Sequence, residues 1–239
     1  MNRFLLFILL FISLESYSQI NMISWNIQMR PEAFFPKENK IFRLESINNY
    51  LQIYDIVLLQ ESFEENSFKF ITNGFEHIIY PSKNKSIVSN GLLIMSKIKI
   101  DFYDIIYFKD CSGFDCLSSK GAFIFQITKN SEKFLIINTH LQSDEGDKNE
   151  KIRKNQIKEI SDLIEKYRKN DHKIILMGDM NELNNIILFE NISDLKNCNF
   201  EGSTWQDQLL DYCFSNFDFI FKIEDSKLSD HLPITLLID

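Results

Sequence analysis

Polar residues of kinds that take part in catalysis recur where strand-like apolar runs of the sequence end. The residues in these positions are Asn26, Glu61, His140 and Asp179, and the pair Asp230-His231 directly precedes the last apolar run. Side chains at strand ends from several segments can meet at one rim of a sheet, where ligands commonly bind. Taken singly, each of these residues is more often a turn residue, a solvated carboxylate or an ordinary strand-end histidine. Their co-occurrence and order are what predict a site.

The residue types suit hydrolysis of a phosphodiester, which needs an activated water and neutralisation of charge on the phosphoryl oxygens. In such sites Mg²⁺ takes one or two carboxylates together with waters and substrate phosphate. We expect Glu61 to be the principal metal ligand, with Asn26 and Asp230 binding directly or through water. Mn²⁺ or Co²⁺ could replace Mg²⁺ with the same ligands.

His231 is the predicted general base, because a neutral imidazole with its usual pKa of about 6.5 can take a proton from water at neutral pH. Asp179 and Asn181 lie two residues apart, so both can face the same way from an extended stretch. Asp179 would then orient the water, and Asn181 would donate to a phosphoryl oxygen. His140 would donate to another such oxygen or assist the leaving group.

Seven segments, in order along the chain, resemble the motifs of the DNase I-like endonuclease/exonuclease/phosphatase superfamily. They are Ser24-Trp25-Asn26, Leu59-Gln60-Glu61, Ser89-Asn90-Gly91, Asn138-Thr139-His140-Leu141-Gln142, Gly178-Asp179-Met180-Asn181, Leu210-Asp211-Tyr212 and Ser229-Asp230-His231. The resemblance implies a four-layer α/β/β/α sandwich, with the active site at one edge of its two sheets. It also implies that Asp211 accepts a hydrogen bond from His231 and fixes the ring tautomer, and that Asn90 binds substrate.

Two further features resemble neutral sphingomyelinases within that superfamily. The first is the stretch from Phe114 to Ala122, similar to D-x-L-x-S-K-G, and the second is Thr139 to Asp144 followed by Arg153-x-x-Gln156. Lys120 would then place an ammonium near the substrate phosphate, with Asp115 holding it between uses; a surface lysine and a turn aspartate are the alternative. The implied reaction is cleavage of sphingomyelin, at a membrane surface, to ceramide and phosphocholine.

Other functions remain open on the sequence alone. A secreted DNase I-like endonuclease, or another phosphodiesterase or phosphatase, could use the same scaffold. The net charge of −8 makes nucleic acid the less expected partner, because phosphate backbones are gripped by basic surfaces. A binding protein on an inactive scaffold is disfavoured, because the residues expected to do chemistry are all present.

The sequence departs from secreted bacterial sphingomyelinases that attack membranes, which often carry a long apolar hairpin shortly before the terminal Asp-His. Only residues 212–229 separate Asp211 from Asp230 here, which leaves little room for such a hairpin. Phe34-Phe35, between Pro31 and Pro36, could touch lipid instead. The favoured alternative is that this pair covers an edge of the core.

Hydrophobic patterning predicts many strands and a few long helices, consistent with two packed sheets that carry helices outside. Helices are predicted over 37–52 and 148–169. Strands are predicted over 20–26, 55–60, 75–80, 91–96, 98–108, 121–128, 134–139, 173–177, 210–214, 217–223 and 233–237.

The N-terminus has the pattern of a secretory signal. Met1-Asn2-Arg3 precedes an apolar run from Phe4 to Leu14, and Ser16-Tyr17-Ser18 predicts cleavage before Gln19. The run is shorter than the roughly 20 residues that cross a bilayer. We therefore expect a secreted or periplasmic monomer with no transmembrane segment, in which residues 19–239 form one catalytic domain. Export permits disulfides, and the expected local pairs are Cys111–Cys116 and Cys198–Cys213.

Overall fold

The structure is a computed structural model that describes residues 19–32, 34–35, 40–183, 192, 195–197 and 201–238. The expected signal segment 1–18 and Cys198 lie outside these residues. The helices are α1 (Lys40–Leu51), α2 (Glu65–Ile71) and α3 (Asp147–Tyr167), with a 3-10 helix at Gly113–Leu117. The strands are β1 (Ile20–Met29), β2 (Ile56–Ser62), β3 (His77–Ile79), β4 (Leu93–Ser96), β5 (Ile100–Tyr107), β6 (Gly121–Lys129), β7 (Glu132–His140), β8 (His172–Asp179), β9 (Lys196–Asn197), β10 (Asp211–Ser215), β11 (Ile220–Ile223) and β12 (Ile234–Ile238).

The strands form two mixed sheets of six. The first has the order β11-β12-β1-β2-β4-β3 and the second the order β5-β6-β7-β8-β10-β9. Each sheet has a parallel pair at its centre, β1 with β2 and β7 with β8. Because the two strands of each pair are parallel, their carboxyl ends lie at one rim of the sheet. Antiparallel strands flank both pairs.

The core has three apolar layers because successive side chains of a strand face opposite sides of its sheet. Between the sheets lie Met22 and Leu58 from one and Phe125 and Met177 from the other, among other buried residues. The outer face of the first sheet packs against α1, and that of the second against α3. This arrangement confirms the predicted four-layer α/β/β/α sandwich.

Buried polar contacts join the two sheets below the rim. Gln60 Nε2 donates to Asn138 Oδ1 at 2.8 Å, and Asn138 Nδ2 donates to the Leu59 carbonyl at 3.2 Å. Gly178 lets β8 lie close against β7 here, since a Cβ at this position would come within 2.0 Å of the Thr139 carbonyl oxygen. Its φ of 149° is one that residues with side chains rarely adopt.

The disulfide between Cys111 and Cys116 is present, which confirms one expected local pair. Cys213 is buried in β10, and its expected partner Cys198 is outside the described residues. Among the described residues, no helix is long and apolar enough to cross a bilayer.

Candidate active site

A cavity of about 810 Å³ opens where the central strands of both sheets end. Eight of the predicted site residues line it: Glu61, Asp115, Lys120, His140, Asp179, Asn181, Asp230 and His231. Strand pairing accounts for this convergence. Asp179, the last residue of β8, lies opposite His140 of β7 on one side and Asp211 of β10 on the other. Residues far apart in the chain therefore share one rim.

The Asp179 carboxylate is the centre of the polar contacts in the cavity. Its Oδ2 accepts a hydrogen bond from Asn26 Nδ2 at 3.0 Å, and its Oδ1 accepts one from the Asn181 backbone N–H at 3.0 Å. Nε2 of His140 lies 3.5 Å from the same Oδ2, and Nε2 of His231 lies 3.7 Å from it. One buried carboxylate thus faces two imidazoles and two asparagines.

His231 and Asp211 form a carboxylate–imidazole pair, with 2.8 Å between His231 Nδ1 and Asp211 Oδ2. Burial by itself would lower the pKa of His231. The carboxylates of Asp211, Asp179 and Asp230 outweigh burial and raise the pKa to about 10. Because Nδ1 faces Asp211, Nε2 is the ring nitrogen directed toward Asp179 and the cavity. These carboxylates alone would keep the ring protonated at neutral pH, which differs from the ordinary imidazole pKa expected from the sequence.

His140 is in the opposite electrostatic situation although it faces the same carboxylate. Burial lowers the pKa of His140 to about 3, and the ammonium of Lys120 acts in the same direction. The ring is therefore neutral at physiological pH. A neutral imidazole can offer an N–H to a phosphoryl oxygen without carrying charge into the site.

Glu61 is the second-last residue of β2, and its backbone has a left-handed φ of 53°. Such backbone is uncommon for a residue with a side chain and clusters at functional sites. Burial raises the pKa of the Glu61 carboxyl to about 7. The nearby carboxylates of Asp179 and Asp230 also raise it, and Lys120 opposes them. The cavity therefore concentrates more negative charge than its own cations neutralise.

Lys120 and Asp115 are paired inside the site rather than on the surface. Lys120 Nζ lies 3.0 Å from Asp115 Oδ2, and the side chains are 5% and 16% exposed. The ammonium also donates to the Leu141 carbonyl, and the Asp115 carboxylate accepts from the Ser143 backbone N–H at 2.7 Å. Lys120 is therefore not the surface lysine of the alternative, although Asp115 does lie in a short 3-10 helix.

Of the predicted residues, Asn26, Asn90 and Asp211 do not line the cavity. Asn26 and Asp211 contact Asp179 and His231, which do line it. The Asn90 Oδ1 instead accepts hydrogen bonds from the backbone N–H groups of Ser82 and Leu92 at 3.2 and 3.1 Å. It thereby holds the turn that leads into β4. In this arrangement its side chain positions backbone, and no described contact brings it to the cavity.

The sequence matches the Endonuclease/Exonuclease/phosphatase family over residues 23–231. The chain belongs to this family. It is 27% identical to a phospholipase C from Staphylococcus aureus, over 88% of this chain and 75% of the relative, and 28% identical to a sphingomyelinase C from Bacillus cereus, over 76% and 62%. A solved mutant of beta toxin from Staphylococcus aureus with bound magnesium ions superposes with a TM-score of 0.85 at 21% identity, covering 93% of this chain and all of that one. Family and relatives identify the chain as a phosphodiester hydrolase.

The site residues of this family member fit a divalent metal on the Glu61 side of the cavity. Glu61, Asp179 and Asp230 supply carboxylate oxygens, the donors that Mg²⁺ prefers. The Asn26 amide oxygen accepts a hydrogen bond from the Gln28 backbone N–H at 3.1 Å, and the amide nitrogen donates to the Asp179 carboxylate. In this arrangement the amide oxygen faces Gln28, and the amide nitrogen faces the carboxylates. Excess negative charge around Glu61 is what a cation would relieve.

A second group in the described chain also has ligand atoms close together. Atoms of Asp179, Asp211 and His231 all lie within 4.8 Å of one another. The 2.8 Å contact between Asp211 and His231 already occupies one ring nitrogen and one carboxylate oxygen. Oxygen-only ligation of Mg²⁺ therefore fits Glu61 better than this group.

Some residues in the cavity wall or next to it carry no signal in the sequence. Trp205 lies with its ring centroid 6.3 Å from that of His231, and it comes from a loop without a recognisable motif. Gln28 Nε2 donates to Asp230 at 2.8 Å. Arg153 Nε contacts Glu182 Oε2 at 2.8 Å, and both side chains are buried. Only Arg153 had a sequence signal, through the Arg-x-x-Gln segment.

An apolar groove of about 530 Å³ adjoins the cavity. Its aromatic lining residues are Phe34, Phe35, Phe63 and Phe114, and it shares Glu61, Lys120 and His140 with the cavity. Phe34 and Phe35 are 48% and 38% exposed. The expectation that this pair covers a core edge is therefore wrong, because both rings face the groove and solvent.

Proposed function

We propose that the chain is a secreted, Mg²⁺-dependent sphingomyelinase of the phospholipase C type, which hydrolyses sphingomyelin to ceramide and phosphocholine. The observation that carries the proposal is the convergence of Glu61, Asp179 and the Asp211–His231 pair on one cavity. These groups meet the needs of phosphodiester hydrolysis: a base for water, a polar anchor for that water and a seat for a cation.

Glu61 would hold the metal, with Asn26 and Asp230 as direct or water-mediated ligands. Mg²⁺ would supply charge neutralisation at the phosphoryl oxygens, and Mn²⁺ or Co²⁺ could take its place. A cation on these carboxylates also offsets the negative charge that raises the pKa of His231, bringing the ring toward its basic form at neutral pH. Metal binding to the carboxylates and the pKa of His231 would therefore be coupled.

The other steps of the reaction would be carried out by side chains of the protein. His231 takes a proton from the attacking water through Nε2, while Asp211 holds Nδ1–H and stabilises the imidazolium. Asp179 orients that water. Asn181 and neutral His140 would donate hydrogen bonds to the phosphoryl oxygens, and His140 could instead donate its hydrogen bond to the departing alkoxide.

Substrate choice is supported by the Lys120–Asp115 pair and by the groove. Lys120 brings a buried positive charge to the cavity wall, where it can meet the substrate phosphate. An aromatic groove beside a phosphodiester site suits a lipid with a quaternary ammonium headgroup. The names of the relatives, a phospholipase C and a sphingomyelinase C, agree with this choice. The net charge of −8 favours lipid over nucleic acid.

The same proposal covers the organisation of the chain. Residues 1–18 would be removed as a signal peptide, and residues 19–239 would act as a single catalytic domain outside the cytoplasm. We expect a monomer that meets its phospholipid at a membrane surface.

The test is a direct comparison of substrates. The purified protein is incubated with Mg²⁺ and, separately, with sphingomyelin, phosphatidylcholine and plasmid DNA. We expect phosphocholine release from sphingomyelin, loss of that release in EDTA, and intact DNA. Nicked plasmid with untouched lipid would instead assign the chain to the endonuclease alternative.

A further inference from the structure

Phe114 is the most exposed large apolar side chain in the described part of the protein, at 87%. It belongs to the 3-10 helix that also carries Asp115, the partner of Lys120 in the cavity. Consecutive residues therefore face opposite environments, since Asp115 points toward the site and Phe114 toward solvent. This places an apolar ring directly beside the mouth of the cavity.

The loop that carries Phe114 is anchored on several sides. The Cys111–Cys116 disulfide closes it. The Ser112 backbone N–H donates to Gln142 Oε1 at 2.9 Å, and Gln142 Nε2 donates back to the Ser112 carbonyl at 3.2 Å. An aromatic ring exposed on an anchored loop contributes little to folding, because its apolar surface stays in water. We therefore expect the exposed ring of Phe114 to contact a binding partner.

The groove beneath Phe114 is continuous with the catalytic cavity. Phe34, Phe35 and Phe114 form its outer wall, while Lys120 and His140 line both spaces. Arg30 also lines both, and its guanidinium carbon lies 3.9 Å from the centre of the Phe35 ring. Aromatic rings next to a long cationic side chain are typical of surfaces that lie at a membrane interface.

Charge selects the kind of membrane. A protein with a net charge of −8 gains nothing from an anionic leaflet, which attracts basic segments. A choline headgroup instead offers a quaternary ammonium to the rings of Phe34 and Phe114. The surface therefore suits a zwitterionic bilayer.

We propose that Phe34, Phe35 and Phe114 form the surface by which this chain docks on a bilayer of zwitterionic choline lipids, with the groove leading from the bilayer to the catalytic cavity. The proposal rests on the proposed lipid phosphodiesterase activity, and it identifies a docking route that needs no long hairpin before Asp230. Burying a phenylalanine at a lipid interface strengthens binding about tenfold or more.

Two measurements on the full protein test it. The first is co-sedimentation with vesicles of phosphatidylcholine and sphingomyelin in a His231→Ala background, which prevents turnover. Phe114→Ser should lower the partition coefficient about tenfold. The matched control is Phe42→Ser, because Phe42 is 80% exposed on α1 and lines neither space; it should leave the coefficient unchanged. Adding phosphatidylserine to the vesicles should not increase binding.

The second measurement compares initial rates on sphingomyelin vesicles and on water-soluble p-nitrophenylphosphocholine, with His231 intact. For Phe114→Ser the ratio of vesicle rate to soluble rate should fall about tenfold. Equal vesicle binding by Phe114→Ser and the parent would overturn the docking surface, as would an equal loss of both rates. Binding that depends on Phe114 in a protein that hydrolyses neither substrate would support docking while refuting the proposed function.

Discussion

Two histidines face one aspartate in this site, yet their surroundings give them opposite proton affinities. The pKa of His231 is raised by three carboxylates, and that of His140 is lowered by burial and Lys120. Environments that separate the pKa values of neighbouring groups are a sign of separate acid and base tasks. In the proposed mechanism, a bound cation would lower the pKa of His231 far enough for the ring to take a proton, and neutral His140 would contribute a hydrogen bond rather than a proton.

Replacing His231 by alanine should lower kcat on sphingomyelin by about 10²–10⁴-fold, because the general base is lost. Folding should persist, which circular dichroism and the thermal midpoint would check. His77→Ala is the matched control: His77 lies on β3 and lines neither the cavity nor the groove, so its activity should be near that of the parent. Near-normal turnover by a folded His231→Ala protein would remove His231 from the mechanism.

Residue-level prediction worked where a motif fixed both the residue and its strand end. Glu61, Asp179 and His231 line the same cavity as expected, because Glu61 and Asp179 lie at the ends of β2 and β8 and His231 precedes β12. The sequence did not predict how amide side chains are oriented. Asn90 holds backbone rather than lining the cavity, and the orientation of Asn26 depends on its neighbours. An asparagine can serve either purpose, and its type and position do not distinguish them.

At the scale of elements, the two long helices and nearly all strands were predictable, and a few short elements were not. Helices α1 and α3 overlap their predicted ranges, and every strand in the described part of the chain except β9 overlaps a predicted strand. Helix α2 has only seven residues and no side-chain cap, and β9 has two residues. The 3-10 helix is closed by a disulfide, so periodicity carries no signal for it. Segments this short are held by tertiary contacts, which a local pattern does not record.

Helix α3 reaches the site through a buried ion pair. Arg153 contacts Glu182 and also donates to the carbonyls of Gln142 and Asp144 at 3.2 and 2.8 Å. These contacts hold the segment after β7, which ends at His140, and the segment after β8, which contains Asn181. The Arg-x-x-Gln segment therefore has a positioning function.

Glu182→Gln should lower the free energy of unfolding by about 3 kcal/mol, because it removes the carboxylate from a buried guanidinium. The measurement is urea denaturation. Glu150→Gln is the control on α3, the helix that carries Arg153. The side chains of Glu150 and its partner Lys154 are 39% and 46% exposed, so this pair is worth only about 0.5 kcal/mol. Equal effects of the two substitutions would mean that the buried pair does not anchor α3.

A second contact joins α3 to β5 and should make stability depend on acid pH. The pKa of Asp104 is lowered by the hydrogen bond from the Tyr167 hydroxyl, at 2.5 Å, and by Lys166. A lowered carboxyl pKa contributes stability above its unfolded-state value, and the contribution is lost as pH falls through the folded value. Asp104→Asn and Tyr167→Phe should both reduce the dependence of the thermal midpoint on pH below about pH 4. An unchanged slope in both variants would contradict this.

At the scale of the whole molecule, the site is where the two sheets and the C-terminal segment are joined. Trp25 Nε1 donates to the His231 carbonyl at 2.9 Å, and the Ser229 hydroxyl donates to the Asn26 carbonyl at 2.7 Å. The same rim gathers the carboxylates of Glu61 and Asp179. Like charges held together oppose folding unless a cation shares the site. Metal binding and global stability should therefore be coupled.

Mg²⁺ should raise the thermal midpoint of the parent protein, because a ligand that binds only the folded state adds about 2.7 kcal/mol at a concentration 100 times its Kd. Glu61→Gln should stabilise the metal-free protein, by removing one of the mutually repelling carboxylates, and should abolish most of the increment from Mg²⁺. Glu45→Gln makes the same change of charge at an exposed position on α1 and should leave the increment intact. Differential scanning calorimetry in EDTA and in Mg²⁺ measures all three proteins without requiring turnover. An equal Mg²⁺ increment in Glu61→Gln and the parent would show that Glu61 does not hold the cation, and the ligands would then have to be sought among Asp179, Asp211 and His231.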